Sequence, residues 1–179
     1  LGLFDCDIPI DGACAVIVSA ADASRDCAQE PIFIEAMGSA LNGRDSWDQR
    51  EDLTTMAAHD VGQDIWERTG LTPSDVDVAA LYDGFSIYVP MWLEAFGFCG
   101  RGEGGQFIRS GNTALTGSLP TNTGGGQLSE GRLHGFGHLH EVCTQLWGAA
   151  HERQIANASC GICGVGGGPV AGALLLVRD

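Results

Sequence analysis

Three short segments in the second half of the chain restrict its fold more than any other feature. Residues 81–86 read Leu-Tyr-Asp-Gly-Phe-Ser, residues 121–126 read Thr-Asn-Thr-Gly-Gly-Gly, and residues 163–168 read Cys-Gly-Val-Gly-Gly-Gly. Each begins in an apolar or β-branched stretch and continues into glycine, which lets a backbone turn sharply or approach a ligand closely. The ends of buried strands in α/β sheets are also where binding sites form. We therefore interpret these segments as strand ends that carry the site.

Apolar periodicity predicts the elements around these segments. Leu53, Met56, Ala57, Val61 and Ile65 recur at the spacing of one helical face. Strands are predicted at residues 11–18 (a small-residue turn entering a buried strand), 31–37, 76–82, 119–123, 157–165 and 169–177. Helices are predicted at residues 52–68, 85–96 and 132–154, and a polar loop at residues 38–50. This alternation, with two strands at the end, predicts an α/β layered domain.

Composition excludes several classes of partner. The net charge is −14, with nine arginines and no lysine, and such a surface repels phosphate backbones and anionic lipid. We therefore expect neither nucleic acid nor a membrane as a partner. No apolar run reaches the length of about 18 residues that a bilayer-spanning helix needs. These features predict a soluble, cytoplasmic protein.

The cysteines and histidines do not form a convincing metal site. The seven cysteines are scattered, and in a cytoplasmic protein we expect them to be reduced. Cys160 and Cys163 form a lone C-x-x-C pair, whereas a structural zinc ion takes four ligands. His134 and His138 share a helical face but have no acidic third ligand beside them. We predict that the chain binds no metal and no cofactor.

The order and spacing of the three segments resemble the three C-terminal motifs of the thiolase family. In thiolases these motifs read Asn-Glu-Ala-Phe, Gly-Gly…Gly-His-Pro-x-Gly and Cys-x-Gly-Gly-Gly. Here Tyr82 stands at the position of the Asn, Arg132 stands at the position of the catalytic His, and Cys163 is displaced by one residue from the glycines. This pattern most resembles the lipid-transfer-protein branch (sterol carrier protein-type), which includes aldolases that cleave steroid side chains as acyl-CoA thioesters.

The resemblance implies a domain organisation. Residues 11–18 are similar to the strand that closes the N-terminal half of a thiolase, so residues 1–30 are expected to end that half. Residues 31–179 are then the C-terminal thiolase-like domain, a mixed five-stranded sheet layered with helices, with the three segments converging at one edge of the sheet. The family further implies a homodimer formed through the missing N-terminal half, and a small OB-fold, zinc-binding partner protein.

The resemblance also nominates Tyr82, Asp83, His134 and Cys163 as catalytic residues. A tyrosine at a strand end can donate a hydrogen bond to an oxyanion or act as a base; the alternative is a core tyrosine with Asp83 as a simple helix cap. His134 lies two residues past the position of the thiolase His, at the start of the predicted helix. Cys163 matches the thiolase acid/base cysteine only loosely, and if the glycines align, the family's Cys falls on Gly164.

Substrate binding is assigned to the glycine-rich segments. Asn122 and Gly125 belong to a strand that runs into glycines, whose backbone N–H groups can face a ligand, although a tight turn alone would also need them. Arg132 follows at the changed His position. Gly166 and Gly167 are candidates for a backbone oxyanion hole.

Three functions remain open from the sequence. The first is retro-aldol cleavage of a β-hydroxyacyl-CoA, for which the resemblance implies a steroid side chain as the substrate. This reaction needs a base and an oxyanion hole but no acyl-enzyme. The second is a degenerate acetyl-CoA acyltransferase, which needs a nucleophilic Cys in contact with a His. The third is a non-catalytic scaffold or lipid carrier. The strongly negative charge argues that most contacts to CoA phosphates lie outside this part of the fold.

Overall fold

The computed structural model describes residues 1–41 and 50–178, apart from the side chains of residues 25 and 26. Four strands and five helices follow one another in the described residues: β1 (Phe33–Leu41), α1 (Ala57–Glu67), β2 (Val78–Leu81), α2 (Tyr88–Ala95), α3 (Gly104–Arg109), α4 (Gly126–Ser129), α5 (Phe136–Leu146), β3 (Cys160–Gly167) and β4 (Val170–Val177). Short 3-10 turns lie at Leu3–Asp5, Ala21–Asp26, Pro73–Asp75 and His151–Arg153.

The strands form one mixed sheet in the order β1-β4-β3-β2. Strands β1 and β3 both pair with β4 in antiparallel fashion, and β2 pairs with β3 in parallel, with Ala80 opposite Cys163. The mixed α/β architecture was predicted, but this sheet has four strands and not five. The predicted strand at residues 119–123 makes only a single bridge, between Ala79 and Thr121. Pro120 lacks an N–H group for a longer ladder.

Two further predictions, one of a strand and one of a loop, are wrong. Residues 11–18 form no strand in the described part of the chain, and Ile17 is 95% exposed, because no strand of the described residues pairs with this segment. The predicted loop at residues 38–50 is in part the continuation of β1, whose residues 38–41 pair with residues 170–173. The remainder of that predicted loop, residues 42–49, lies outside the described residues.

The predicted helices are all present but shorter. Helix α5 covers only the middle of the predicted 132–154 helix, because Gly135 precedes it at φ 92° and Gly148 follows it at φ 71°. These left-handed conformations favour glycine and interrupt a helix. Helix α1 begins at Ala57, since Asp52 holds the preceding residues in a turn through Thr54 and Thr55.

The two faces of the sheet are covered unequally. On one face α1 and α2 pack a large apolar core that includes Ile65, Trp92, Phe96 and Leu175. On the other face α5 is the one helix of the described residues that packs, through Val142 and Leu146, onto Ala80, Cys163 and Leu176. Beside α5 this second face is open over β1 and β4. No helix in the described ranges is long and apolar enough to cross a membrane.

The close approach of α1 to α2 depends on Gly62. A β-carbon at this position would overlap the carbonyl group of Ala95, and Trp66 of α1 donates a hydrogen bond from Nε1 to the carbonyl of Phe96 at 3.0 Å. We predict that Gly62→Ala lowers the free energy of unfolding by about 2 kcal/mol, because overpacking at this contact outweighs the better helix propensity of alanine.

Urea unfolding followed by circular dichroism measures this effect. Gly70→Ala is the matched control, since a β-carbon at position 70 meets no atom within 4 Å. Equal unfolding midpoints for the two variants would contradict the packing argument.

Candidate functional site

The end of β2 is fixed by backbone and side-chain hydrogen bonds from two other segments. The Tyr82 amide donates to the carbonyl of Gly164 at 2.9 Å, which continues the parallel pairing with β3 by one residue. On the other edge Asn122 accepts from the Leu81 amide at 2.7 Å and donates to the Leu81 carbonyl at 2.9 Å. The side chain of Asn122 thus replaces a neighbouring strand, so its amide is already engaged with the protein itself.

Tyr82 lies half-buried at this strand end. Its ring folds back over Gly84, where a β-carbon would lie 2.6 Å from the Tyr82 hydroxyl oxygen, so a side chain at position 84 would displace this ring. The same ring packs against the core that α1 and α2 cover. The tyrosine therefore sits on the α2 side of the sheet, at the carboxyl end of a strand.

A second tyrosine, Tyr88, stands beside the first and was not predicted. The two ring centroids are 5.9 Å apart, and the ring of Tyr88 lies so close to Gly167 that a β-carbon there would come within 2.8 Å. Burial raises the pKa of Tyr88, and the neighbouring Tyr82 raises that pKa further. Tyr88 is thus a protonated phenol at neutral pH. The one signal for Tyr88 in the sequence is that the chain has only two tyrosines.

Asp83 points into the protein and is 2% exposed. Its carboxylate accepts hydrogen bonds from the backbone amides of Gln127 at 2.8 Å and Leu128 at 3.3 Å, at the start of α4. Gly126 has a φ of 60°, and a β-carbon on it would overlap this carboxylate. The glycines of the second segment are therefore needed so that its backbone can reach Asp83; Gly125, the N-cap of α4, has a φ of 114°.

His138 completes this arrangement from α5. The residue is buried, and its Nε2 atom lies 3.0 Å from the Leu81 carbonyl oxygen and 3.1 Å from Asp83 Oδ1. The sequence did carry a signal for it: His138 is four residues before Val142, on the buried face of the predicted helix. Its pairing with His134 has no third metal ligand beside it, so no role was predicted for His138.

His134 and Arg132 lie on the loop before α5. His134 is exposed, has a φ of 47° and lines a groove of about 290 Å³ together with Cys163 and Phe136. The Arg132 guanidinium is 38% exposed and pairs with Asp7 at 3.3 Å. Among the described residues no group of three His, Cys, Asp or Glu side chains could hold a metal ion.

Cys163 lies on the opposite face of the sheet from the Tyr82 ring, under α5. It is 2% exposed, and burial raises the pKa of its thiol to about 12, with a smaller contribution from Cys143. A buried thiol with a raised pKa is a poor nucleophile and a poor base at neutral pH. Near the end of the same strand Gly166 has a φ of 91°, and its carbonyl accepts a hydrogen bond from Trp92 Nε1 at 3.0 Å.

The three segments that the sequence marked therefore meet around the end of β2. Asp83 touches the second segment through α4, Tyr82 bonds to Gly164 in the third, and Tyr88 packs against Gly167. The arrangement offers phenol groups on one side of the sheet and a histidine at the rim of a groove on the other.

This geometry agrees with comparisons to known proteins. A family model described as "Thiolase C-terminal domain-like" matches residues 39–178. The chain belongs to this family. The predicted resemblance to thiolases and to their sterol carrier and aldolase branch is thereby confirmed, since proteins named as sterol carrier proteins and as steroid side-chain-cleaving aldolases also match.

Two curated relatives and one solved structure illustrate the similarity. The chain is 38% identical over 162 residues to the 17-hydroxy-3-oxo-4-pregnene-20-carboxyl-CoA lyase of Mycobacterium tuberculosis, a match that covers 84% of this chain and 40% of that protein. It is 34% identical over 166 residues to an acetyl-CoA acetyltransferase of Methanothermobacter thermautotrophicus, covering 90% and 43%. The structure named Ltp2-ChsH2(DUF35) aldolase superposes with a TM-score of 0.83 at 33% identity, covering 89% and 42%.

The chain thus spans less than half the length of these relatives.

The burial of Cys163 leads to a prediction about its reactivity. At pH 8 we expect iodoacetamide to modify Cys163 at least about 100-fold more slowly than Cys27, because alkylation needs an accessible thiolate and Cys27 is exposed whereas Cys163 is buried. Peptide mass spectrometry after timed labelling of the folded protein measures both rates. Comparable labelling of the two cysteines would mean that the thiol is open to solvent and reactive.

Proposed function

We propose that the protein containing this chain cleaves a carbon–carbon bond of a β-hydroxyacyl-CoA in a retro-aldol reaction, with a steroid side chain as the substrate class. The observation that carries the proposal is Tyr82 at the end of β2, on the opposite side of the sheet from Cys163. The relatives named as lyase and aldolase support the reaction class.

The proposed reaction needs one base and one set of hydrogen-bond donors. The base removes the proton of the β-hydroxyl group, and the oxygen lone pair forms a carbonyl as the bond between the α and β carbons breaks. That bonding pair becomes the thioester enolate, which then takes up a proton at the α carbon. We assign the phenol of Tyr82 to the proton transfer, and His134 at the groove rim is the alternative base.

The remaining candidates are assigned to binding and support. We propose that the backbone at Gly166 and Gly167 faces the substrate and contributes oxyanion contacts. The Gly125 amide already donates to the Asn122 carbonyl at 2.8 Å, so we assign Gly125 to shaping the turn. The Asp83 carboxylate is already engaged with the start of α4, so we assign it a positioning role. Asn122 holds Leu81 and acts in the same indirect way.

An acyltransferase is the second candidate, and the acetyl-CoA acetyltransferase relative favours it. This reaction would need a reactive cysteine and a histidine in contact with it. Cys163 is buried with a pKa raised to about 12, and Arg132 occupies the family's His position. A thiolase reaction at this end of the fold would therefore have to use His134 and a cysteine from elsewhere. A non-catalytic scaffold remains the third candidate.

The open face of the sheet supports a proposal about assembly. The groove beside α5 is lined by apolar side chains, among them Met37, Leu139 and Leu174, and Met37 is 59% exposed. We propose that a protein of the relatives' length has the N-terminal half of a thiolase-like fold, and that residues 1–30 are the end of that half. That half would cover the open face of the C-terminal domain, residues 31–179. We further propose a homodimer formed through that half and an OB-fold, zinc-binding partner protein.

Kinetics of three single variants test the proposed reaction on a β-hydroxyacyl-CoA substrate. We expect Tyr82→Phe to lower kcat by about 100-fold or more, since it removes one acid/base or oxyanion group. Cys163→Ala should cost much less, and His134→Ala should fall between the two. If Cys163→Ala were the most damaging and Tyr82→Phe were near wild type, the acyltransferase would replace the aldolase.

A further inference from the structure

We propose that His138 is a positioning residue for Tyr82, acting through a single N–H group that bridges the residues on either side of the tyrosine. The Nε2 atom lies 3.0 Å from the carbonyl oxygen of Leu81 and 3.1 Å from Oδ1 of Asp83. The proposal rests on the proposed function in one respect, which is that Tyr82 carries the chemistry. It adds a residue on α5 that the thiolase resemblance did not nominate.

The neighbours of Nε2 determine where the proton is. A backbone carbonyl oxygen can only accept a hydrogen bond, and the carboxylate oxygen Oδ1 already accepts from the Gln127 amide at 2.8 Å. Nε2 must therefore carry hydrogen and donate it to both oxygens. This requirement holds for the neutral ring protonated at Nε2 and for the imidazolium, so the bridge persists whichever form is present.

The two hydrogen bonds of this bridge are strengthened because water is excluded from them. The side chains of His138 and Asp83 are 2% and 3% exposed. Hydrogen bonds to a charged group are stronger than those between neutral groups, and a low dielectric strengthens them further. Removal of the ring would take one hydrogen-bond donor from the Leu81 carbonyl and one from the Asp83 carboxylate. The backbone from 81 to 83 would then be less firmly held.

The geometry favours an indirect role over direct catalysis. The His138 ring is buried under α5, whereas the Tyr82 ring packs on the α2 side, against Gly84 and Tyr88. The connection between the two side chains therefore runs through the backbone of residues 81–83. Position of the phenol, and not its acidity, is what the bridge controls.

Activity measurements on three single variants of the full-length protein separate positioning from general damage. His138→Gln keeps an amide N–H donor on a side chain of similar reach, and we expect its kcat to stay within about 3-fold of wild type. His138→Leu keeps the bulk and loses the donor, and we expect kcat to fall by about 10-fold or more with KM within about 2-fold. His140→Leu is the matched control on the same helix, because His140 is exposed, and it should leave both constants unchanged.

The double variant Tyr82→Phe/His138→Leu is the decisive comparison. If His138 acts by placing the Tyr82 hydroxyl, its loss costs nothing more once that hydroxyl is gone, so the two effects are not additive. An equal loss from His138→Leu in both backgrounds would overturn the positioning role. A Tyr82→Phe variant near wild type would instead overturn the proposed function, so the two failures are distinguishable.

A spectroscopic measurement tests the inference without activity. Tyr82 and Tyr88 are the two tyrosines of this chain, so incorporation of 3-fluorotyrosine gives them fluorine NMR signals that Tyr82→Phe assigns. We expect His138→Leu to shift or broaden the Tyr82 signal, and His138→Gln and His140→Leu to leave it in place. An unchanged Tyr82 signal in folded His138→Leu overturns the inference. If the leucine variant does not fold, His138→Asn, whose amide is too short to reach both acceptors, replaces it under the same criteria.

Discussion

The carboxylate of Asp83 is buried, and an ion away from water costs several kcal/mol of solvation free energy unless donors surround it. Two backbone amides at the start of α4 and the ring of His138 supply those donors. The end of β2, the glycine segment and α5 must therefore come together for Asp83 to be satisfied. The close approach of the glycine backbone follows from the same contact, because a β-carbon at Gly126 would overlap the carboxylate.

This junction also decides on which side each reactive group lies. Side-chain alternation continued beyond Leu81 would put Tyr82 on the face of Ala80, under α5, and Asp83 on the opposite face. The contacts are the reverse: Asp83 reaches α5, and the Tyr82 ring packs beside α2. The regular strand ends at Leu81, and the change of side separates the phenol from the buried thiol of Cys163. A cysteine-based reaction and a tyrosine-based reaction would thus use different faces of the sheet.

Local patterns in the sequence were enough to predict the sheet class, the end of β2 and the glycine segments. They were misleading where a partner from a distant part of the chain decides the outcome. Residues 11–18 have the composition of a buried strand, yet no strand of the described residues pairs with them. Residues 38–41 end β1 and do not begin the predicted polar loop, because the partner that orders them lies about 130 residues later in β4.

The site likewise divides into residues that local sequence patterns predict and residues that depend on distant parts of the chain. Tyr82 and Asp83 were predicted because motif and strand end coincide in sequence. Tyr88 was missed because only the fold brings it to Gly167, and the role of His138 was missed because its two acceptors lie more than 50 residues away. Such pairings follow from three-dimensional packing and not from spacing along the chain.

The central claim is that carbon–carbon cleavage occurs here without a cysteine-bound intermediate. Intact-protein mass spectrometry during turnover of a β-hydroxyacyl-CoA, combined with analysis of the products, tests it most directly. We expect an aldehyde or ketone and a shortened acyl-CoA to accumulate in equal amounts while the mass of the protein stays unchanged. An acyl group on a cysteine that forms and decays at the rate of turnover would contradict it.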